Sequence, residues 1–336
     1  MLIKIRNLTS IRFFQFFFFL LIGVIPILTQ NVIILNILIF TMFYAFYACS
    51  WSIIGRYAGQ ISLGHAAYFG LGAYIPTILF LNYGLSPWFG MWIGGACAAT
   101  CAVFLGFPCF RVHGVFYLLV TYAFAEIMRI SFIVFRDVTG GSQGIFVPLL
   151  GDSPLYFQFN SKIPYYYIIL LMLLTLFFIV KKLENSKFGY YLKALRNDEI
   201  AAKCVGIDVF KYKLIAAATS AFFTSFAGAF YIQLIRFIDP FDAMGIKRSI
   251  EPIIISLFGG STISHQILGS FLLTPIVEYL TIVFGGTMFM SAIQGLIYGL
   301  VLIIVVIVAP DGIGGWLFRH FGRLLEKLKG EHHVSP

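Results

Sequence analysis

Long apolar runs, separated by short polar or glycine-rich intervals, recur from one end of this chain to the other. A helix needs about 20 such residues to cross a bilayer. The runs place spans at 11–29, 32–54, 61–81, 87–108, 115–135, 163–180, 213–234, 250–260, 264–284 and 288–309. Backbone groups in hydrocarbon must be satisfied within the segment, so runs of this kind are helices. The pattern predicts an all-α integral membrane protein: a polytopic helical bundle of about 8–10 transmembrane helices, built as one domain over residues 1–336.

Two stretches break the pattern. The run at 250–260 is short for a crossing and leads into Gly259, Gly260, Ser261 and Thr262 before the next apolar run. The stretch 55–81 carries Gly55, Gly59, Gly64, Gly70, Gly72 and His65 in an otherwise apolar sequence. Broken or re-entrant helices are predicted at both, because irregular backbone at membrane depth survives only against protein or a water-filled path. At an offset of 200 residues Gly59 aligns with Gly259 and His65 with His265, the pattern of an internal repeat with matching breaks. A third departure is polar. Residues 181–213 hold eight Lys/Arg and four Asp/Glu between two apolar runs.

Composition sharpens this picture. The chain is 60% apolar and only 11% charged, with mean hydropathy +0.92, which leaves no room for a separate soluble domain. The net charge of +9 does not point to nucleic acid, because the basic residues gather at one set of span ends, as orientation in a bilayer requires. Lys4, Arg6 and Arg12 place the N-terminus inside, and six crossings then place 181–213 inside as well. Arg56 and Arg111 fall on that side, and the loop 136–162 falls outside. Arg319, Arg323, Lys327 and Lys329 put the tail 310–336 inside too. No small-residue cleavage pattern follows the first apolar run, so a retained helix is expected rather than a signal peptide.

The sequence offers little catalytic chemistry. It has no phosphate-binding G-x-x-x-x-G-K-[ST] loop, no H-E-x-x-H, no C-x-x-C and no Ser/His/Asp grouping. No metal or cofactor is expected, and no enzyme activity. The five cysteines read as small buried residues. Polar residues inside spans carry more weight, because ionisable groups in lipid face a cavity or a partner. Gln60, Ser62, His65, Gly259, Gly260 and His265 are candidates to line a solute path. For His65 a hydrogen-bonded packing role stands beside direct solute contact. Glu126 and Arg129, spaced i,i+3, are expected to pair on one helix face. Glu251 opens a span and Glu278 lies within one. Gly55/Gly59, Gly90/Gly94 and Gly295/Gly299 have the spacing that lets helix backbones approach.

The polar island reads as two short helices and a turn. Phe188, Tyr191, Leu192 and Leu195 recur at helical spacing. Asn197 or Asp198 can cap a second helix from Glu199 to Val205, Gly206 is placed to end it, and Asp208 can cap the next long helix. Ala201 and Ala202 are small enough for close contact with a partner groove. The alternative is a surface loop bound to anionic lipid headgroups.

E-I-A-A-K-C-V-G at 199–206 resembles the E-x-A-A-x-x-x-G coupling loop of ABC importer permeases. The stretch around it, with G-Q-I-S-L-G-H-A-A-Y-F-G-L-G-A-Y (59–74), T-G-G-S-Q-G-I (139–145), S-I-E-P-I-I-I-S-L-F-G-G (249–260) and A-P-D-G-I-G-G (309–315), is similar to the branched-chain amino-acid permeases over about residues 40 to 315. The resemblance implies a fold of the ABC importer permease type and a non-catalytic subunit in a bacterial inner membrane. It implies three protein partners: cytoplasmic ATP-binding subunits, a second permease, and a periplasmic or extracellular binding protein that delivers the solute. Residues 181–213 would be the cytoplasmic coupling loop, with Arg196, Glu199, Ala201, Ala202 and Gly206 coupling to the ATPase. Where related chains carry further glycines after the G-G pair, S-T-I-S-H-Q-I-L-G keeps only Gly269. An ion-coupled secondary transporter is the competing reading, and it would need Glu126 or Glu278 as a proton-relay carboxylate.

Overall fold

A computed structural model describes residues 17–112, 114–260 and 262–284, together with isolated residues at 293, 296, 299, 300, 303 and 307. The expected tail at 310–336, the N-terminal basic cluster and most of the span at 288–309 lie outside the described residues.

The described chain is helical almost throughout. Helix α1 spans Phe17–Leu28. It is followed by α2 (Val32–Ser52), α3 (His65–Tyr83), α4 (Pro87–Cys109), α5 (Val115–Val134), the single turn α6 (Arg136–Thr139) and α7 (Lys162–Glu184). The polar island supplies α8 (Lys187–Asn197) and α9 (Glu199–Cys204). Then come α10 (Val209–Ile235), the short α11 (Pro240–Met244), α12 (Ile246–Gly259) and α13 (Ile263–Phe284). Six of these are long and apolar enough to cross a membrane, counting α2 with the turn that extends it to Tyr57. The chain is a polytopic helical membrane protein.

Both predicted breaks are present. Helix α2 widens into a π turn at Ile53–Tyr57, and regular helix resumes only at His65. Helix α12 stops at Gly259, where Gly260 takes φ +124°, a conformation side chains rarely adopt. The second break begins earlier than the sequence suggested. Asp239 caps Phe241 and Asp242, Pro240 occupies the first turn of α11, and α12 starts at Ile246.

The core is close-packed around α3, α4 and α10. A Cβ on Gly72 would stand 1.9 Å from the Ser225 carbonyl oxygen. Such backbone approach is how membrane helices associate without a hydrophobic driving force between them. At one end of the bundle β1 (Ile145–Phe146) pairs antiparallel with β2 (Phe237–Ile238), and Trp88 stacks on Phe157 at 4.2 Å. At the other end the C-terminal turns of α2 and α7 meet the polar island and the start of α10.

An ionic cluster around a buried arginine escaped the sequence reading. Arg248, 4% exposed, reaches the Asp242 carboxylate at 2.8 Å and Glu251 at 3.3 Å. Its guanidinium lies 4.3 Å from the centre of the Tyr231 ring, whose hydroxyl donates to Asp242 at 3.0 Å. Both carboxylates are thus satisfied, and the α11–α12 elbow is pinned to α10. The i,i+3 spacing of Arg248 and Glu251 was the available signal.

Candidate functional site

The polar island folds as its capping residues dictate. Ser186 accepts from the Gly189 amide and starts α8, whose Leu192 and Leu195 are buried. Asp198 accepts from the Ile200 and Ala201 amides at 2.8 and 3.0 Å, satisfying two donors that the first turn of α9 leaves free. The helix ends in a Schellman motif. The Gly206 amide bonds the Lys203 carbonyl at 3.0 Å and the Ile207 amide bonds the Ala202 carbonyl at 3.1 Å, with Gly206 at φ +84°. Asp208 then caps α10 through the Lys211 amide.

The two alanines of α9 differ in exposure. Ala202 is 3% exposed and packs inward, whereas Ala201 faces out. Ile200 and Val205, 75% and 76% exposed, stand as apolar knobs beside Lys203 on the outward surface. The sequence reading passed over both. Their signal was apolar character on a short capped helix whose inward face was already filled.

Glu199 anchors α9 to the bundle. Its carboxylate receives the ammonium of Lys213, a residue 1% exposed on α10. The same oxygen accepts from Gln60 Nε2 at 3.0 Å. Gly59, at φ +72°, lies against Arg196, where a Cβ would meet Arg196 Cγ at 3.1 Å. The neighbours Gly59 and Gln60 thus meet the island at Arg196 and Glu199.

The other candidate path residues are placed as follows. Ser62 and His65 are 2% and 1% exposed, and Gly259 and Gly260 are buried. His65 Nε2 lies 2.8 Å from Ser220 Oγ, whose own proton goes to the Ser50 carbonyl at 2.7 Å. Nε2 of His65 is therefore the donor to Ser220, and Nδ1 has no partner among the described residues. His65 thus ties α3 to α10 and, through Ser220, to α2. A Cβ on Gly259 would meet Gln266 Cα of α13 at 2.5 Å, and one on Gly269 would meet Gly259 Cα at 2.4 Å. The glycine retained at 269 is the one this crossing requires. His265 is half-buried beside it on α13. The two breaks also touch: Arg56 Nη2 donates to the Ser256 carbonyl at 2.9 Å.

Glu126 and Arg129 form the expected pair on α5, with Arg129 Nε 3.0 Å from Glu126 Oε2. The pair is partly exposed, at 33% for Glu126 and 19% for Arg129. Helix α5 is the least covered of the six long apolar helices. Its exposed face runs through Leu119, Ile127 and Ile130. Among the described residues no group of three or more His, Cys, Asp or Glu is placed to hold a metal ion.

A protein-family model described as "Branched-chain amino acid transport system / permease component" matches residues 33–306. Over 290 residues the chain is 28% identical to the high-affinity branched-chain amino acid transport system permease protein LivM of Escherichia coli (strain K12), covering 76% of this chain and 68% of that relative. LivM of Salmonella typhimurium is equally similar, at 28% identity over the same shares. No solved structure matches the chain.

Proposed function

The chain belongs to the branched-chain amino acid transport permease family, and from that premise we propose that it is one membrane subunit of an ABC importer. ATP hydrolysis in separate cytoplasmic subunits drives a branched-chain amino acid, or a similar small solute, inward. Residues 181–213 face the cytoplasm, with both chain termini on the same side. A binding protein on the opposite side delivers the solute. An apolar solute needs few fixed charges along its route, which fits the low charge of the spans.

The observation that carries this reading is the build of α9. It is capped at both ends, held to the bundle by Glu199 and Lys213, and presents Ile200 and Val205 outward. A rigid apolar projection of this kind fits a groove on another protein, and desolvated anchors carry most of the energy at such contacts. Glu199, Ala202 and Gly206 set the shape and seat of this helix, Ala201 joins its outward surface, and Arg196 backs it through Gly59. A second permease covers α5, where the Glu126–Arg129 pair is too costly to leave to lipid.

Co-purification with the cognate ATP-binding subunits tests the reading. Ile200→Asp and Val205→Asp are expected to abolish association, because each places a carboxylate at a desolvated contact, while leaving the thermal midpoint of the free chain unchanged. Undiminished association in the double variant refutes it.

A further inference from the structure

Three hydrogen bonds leave one short stretch of chain and end on three different elements. Gln60 Nε2 donates to Glu199 of α9 at 3.0 Å, the Tyr57 hydroxyl to Glu184 at the end of α7 at 2.7 Å, and Arg56 to the Ser256 carbonyl of α12 at 2.9 Å. The stretch is closed on itself. Trp51 Nε1 donates to the Ser62 carbonyl at 2.9 Å, and the Gln60 amide to the Ile54 carbonyl at 3.1 Å. The Trp51 ring fills the space over Gly55, where a Cβ would stand 2.3 Å from it. A segment tied across its own ends moves as one body. It contains a π turn, a local widening of the helix that is frequent at functional sites.

We propose that residues 51–62 are the lever by which α9 moves α12, with Gln60 receiving the displacement and Arg56 delivering it. This rests on the importer reading and adds a route within the chain. At the receiving end, one carboxylate oxygen of Glu199 serves both Lys213 of α10 and Gln60 of the lever. A shift of α9 therefore changes the two contacts together. At the delivering end, Arg56 binds the last turn of α12, where the helix dipole favours a cation. The Ser256 carbonyl already accepts from the Gly260 amide at 3.1 Å, so Arg56 occupies its second lone pair. Gly259 is seated on the main chain of α13, so the end of α12 and the start of α13 travel together. Arg56 and Gln60 are positioning residues. They act through Ser256 and Glu199 and not on the solute.

The test uses the full transporter in vesicles: this chain, its second permease, its ATP-binding subunits and its binding protein, with radiolabelled leucine as probe. Leucine moved per ATP hydrolysed is read beside the yield of assembled complex. Arg56→Ala and Gln60→Ala are each expected to keep assembly and hydrolysis and to lower leucine per ATP about tenfold. Arg56→Lys, which keeps the cation and a donor, is expected to restore at least half of the coupling. It also reads the same contact if Arg56→Ala fails to assemble. Residues in series do not add, so the double alanine variant is expected to lose about tenfold as well. Wild-type leucine per ATP in either assembled alanine variant overturns the lever, and so do losses that multiply to about a hundredfold. Neither outcome touches the importer reading, which fails only if the wild-type complex does not assemble or moves leucine without ATP.

Discussion

Lys213, 1% exposed on a long apolar helix, gives its ammonium to Glu199, 21% exposed on the polar island. The two ends of this pair are unequal, and so are the consequences of breaking it. Glu199→Gln leaves a cation buried against a neutral partner, a change of about 3–5 kcal/mol where a buried pair loses one member. Lys213→Met leaves a carboxylate that still holds Gln60 and touches water. Chemical unfolding of the detergent-solubilised chain is expected to show a larger loss for Glu199→Gln than for Lys213→Met. The double variant is expected to recover most of the difference.

Gly206 is held by conformation alone. It has φ +84° and no atom within 4 Å of where a Cβ would stand. Gly206→Ala therefore meets strain of about 1 kcal/mol without a clash. The Schellman turn loosens while the membrane helices keep their packing. Co-purification with the ATP-binding subunits is expected to weaken several-fold, with only a small fall in thermal midpoint. Gly206→Asn, which tolerates this backbone region better, is expected to fall between alanine and wild type.

Gly72 is the opposite case. It sits in regular helix, and a Cβ there would meet the Ser225 carbonyl at 1.9 Å. Main chain cannot swing aside as a side chain can, so Gly72→Ala forces α3 and α10 apart. Overpacking of this kind costs about 1–3 kcal/mol or more. A thermal scan in detergent is expected to show a larger drop in midpoint for Gly72→Ala than for Gly206→Ala.

What the sequence made legible was local. The cap positions at 197–198 and Asp208 and the terminator Gly206 act within a few residues, so the short helix of the island was readable in the sequence, with the choice of Asp198 over Asn197 left to the structure. The two breaks were marked by clustered glycines in an apolar context. The long-range partners were not readable. In the sequence Gln60 reads as a path residue, and only folding brings it to Glu199, 139 positions away. His65 likewise meets Ser220 at a separation of 155, and Arg56 meets Ser256 at 200. Nothing in an i,i+4 pattern reports such distances. The inward turn of Ala202 was hidden for a related reason, since the phase of a six-residue helix is set by what it rests on.

The α5 face carries a prediction about partners. Ile127, 62% exposed, lies next to the Glu126–Arg129 pair. If a second permease covers this face, Ile127→Cys in the assembled transporter is expected to resist a membrane-permeant thiol reagent and to cross-link to the other permease. In the isolated chain the same cysteine is expected to react. Equal reactivity in both states places lipid, and not protein, on α5.

In the proposed importer the energy for transport enters from another subunit through α9. Leucine uptake into proteoliposomes, with this chain alone or in the complete transporter, tests this. Uptake is expected only from the complete transporter supplied with ATP and loaded binding protein. None is expected from the chain alone under a proton or sodium gradient, and Glu278→Gln is expected to leave uptake per ATP hydrolysed unchanged. Gradient-driven accumulation by the chain alone, abolished by Glu278→Gln, contradicts the importer reading.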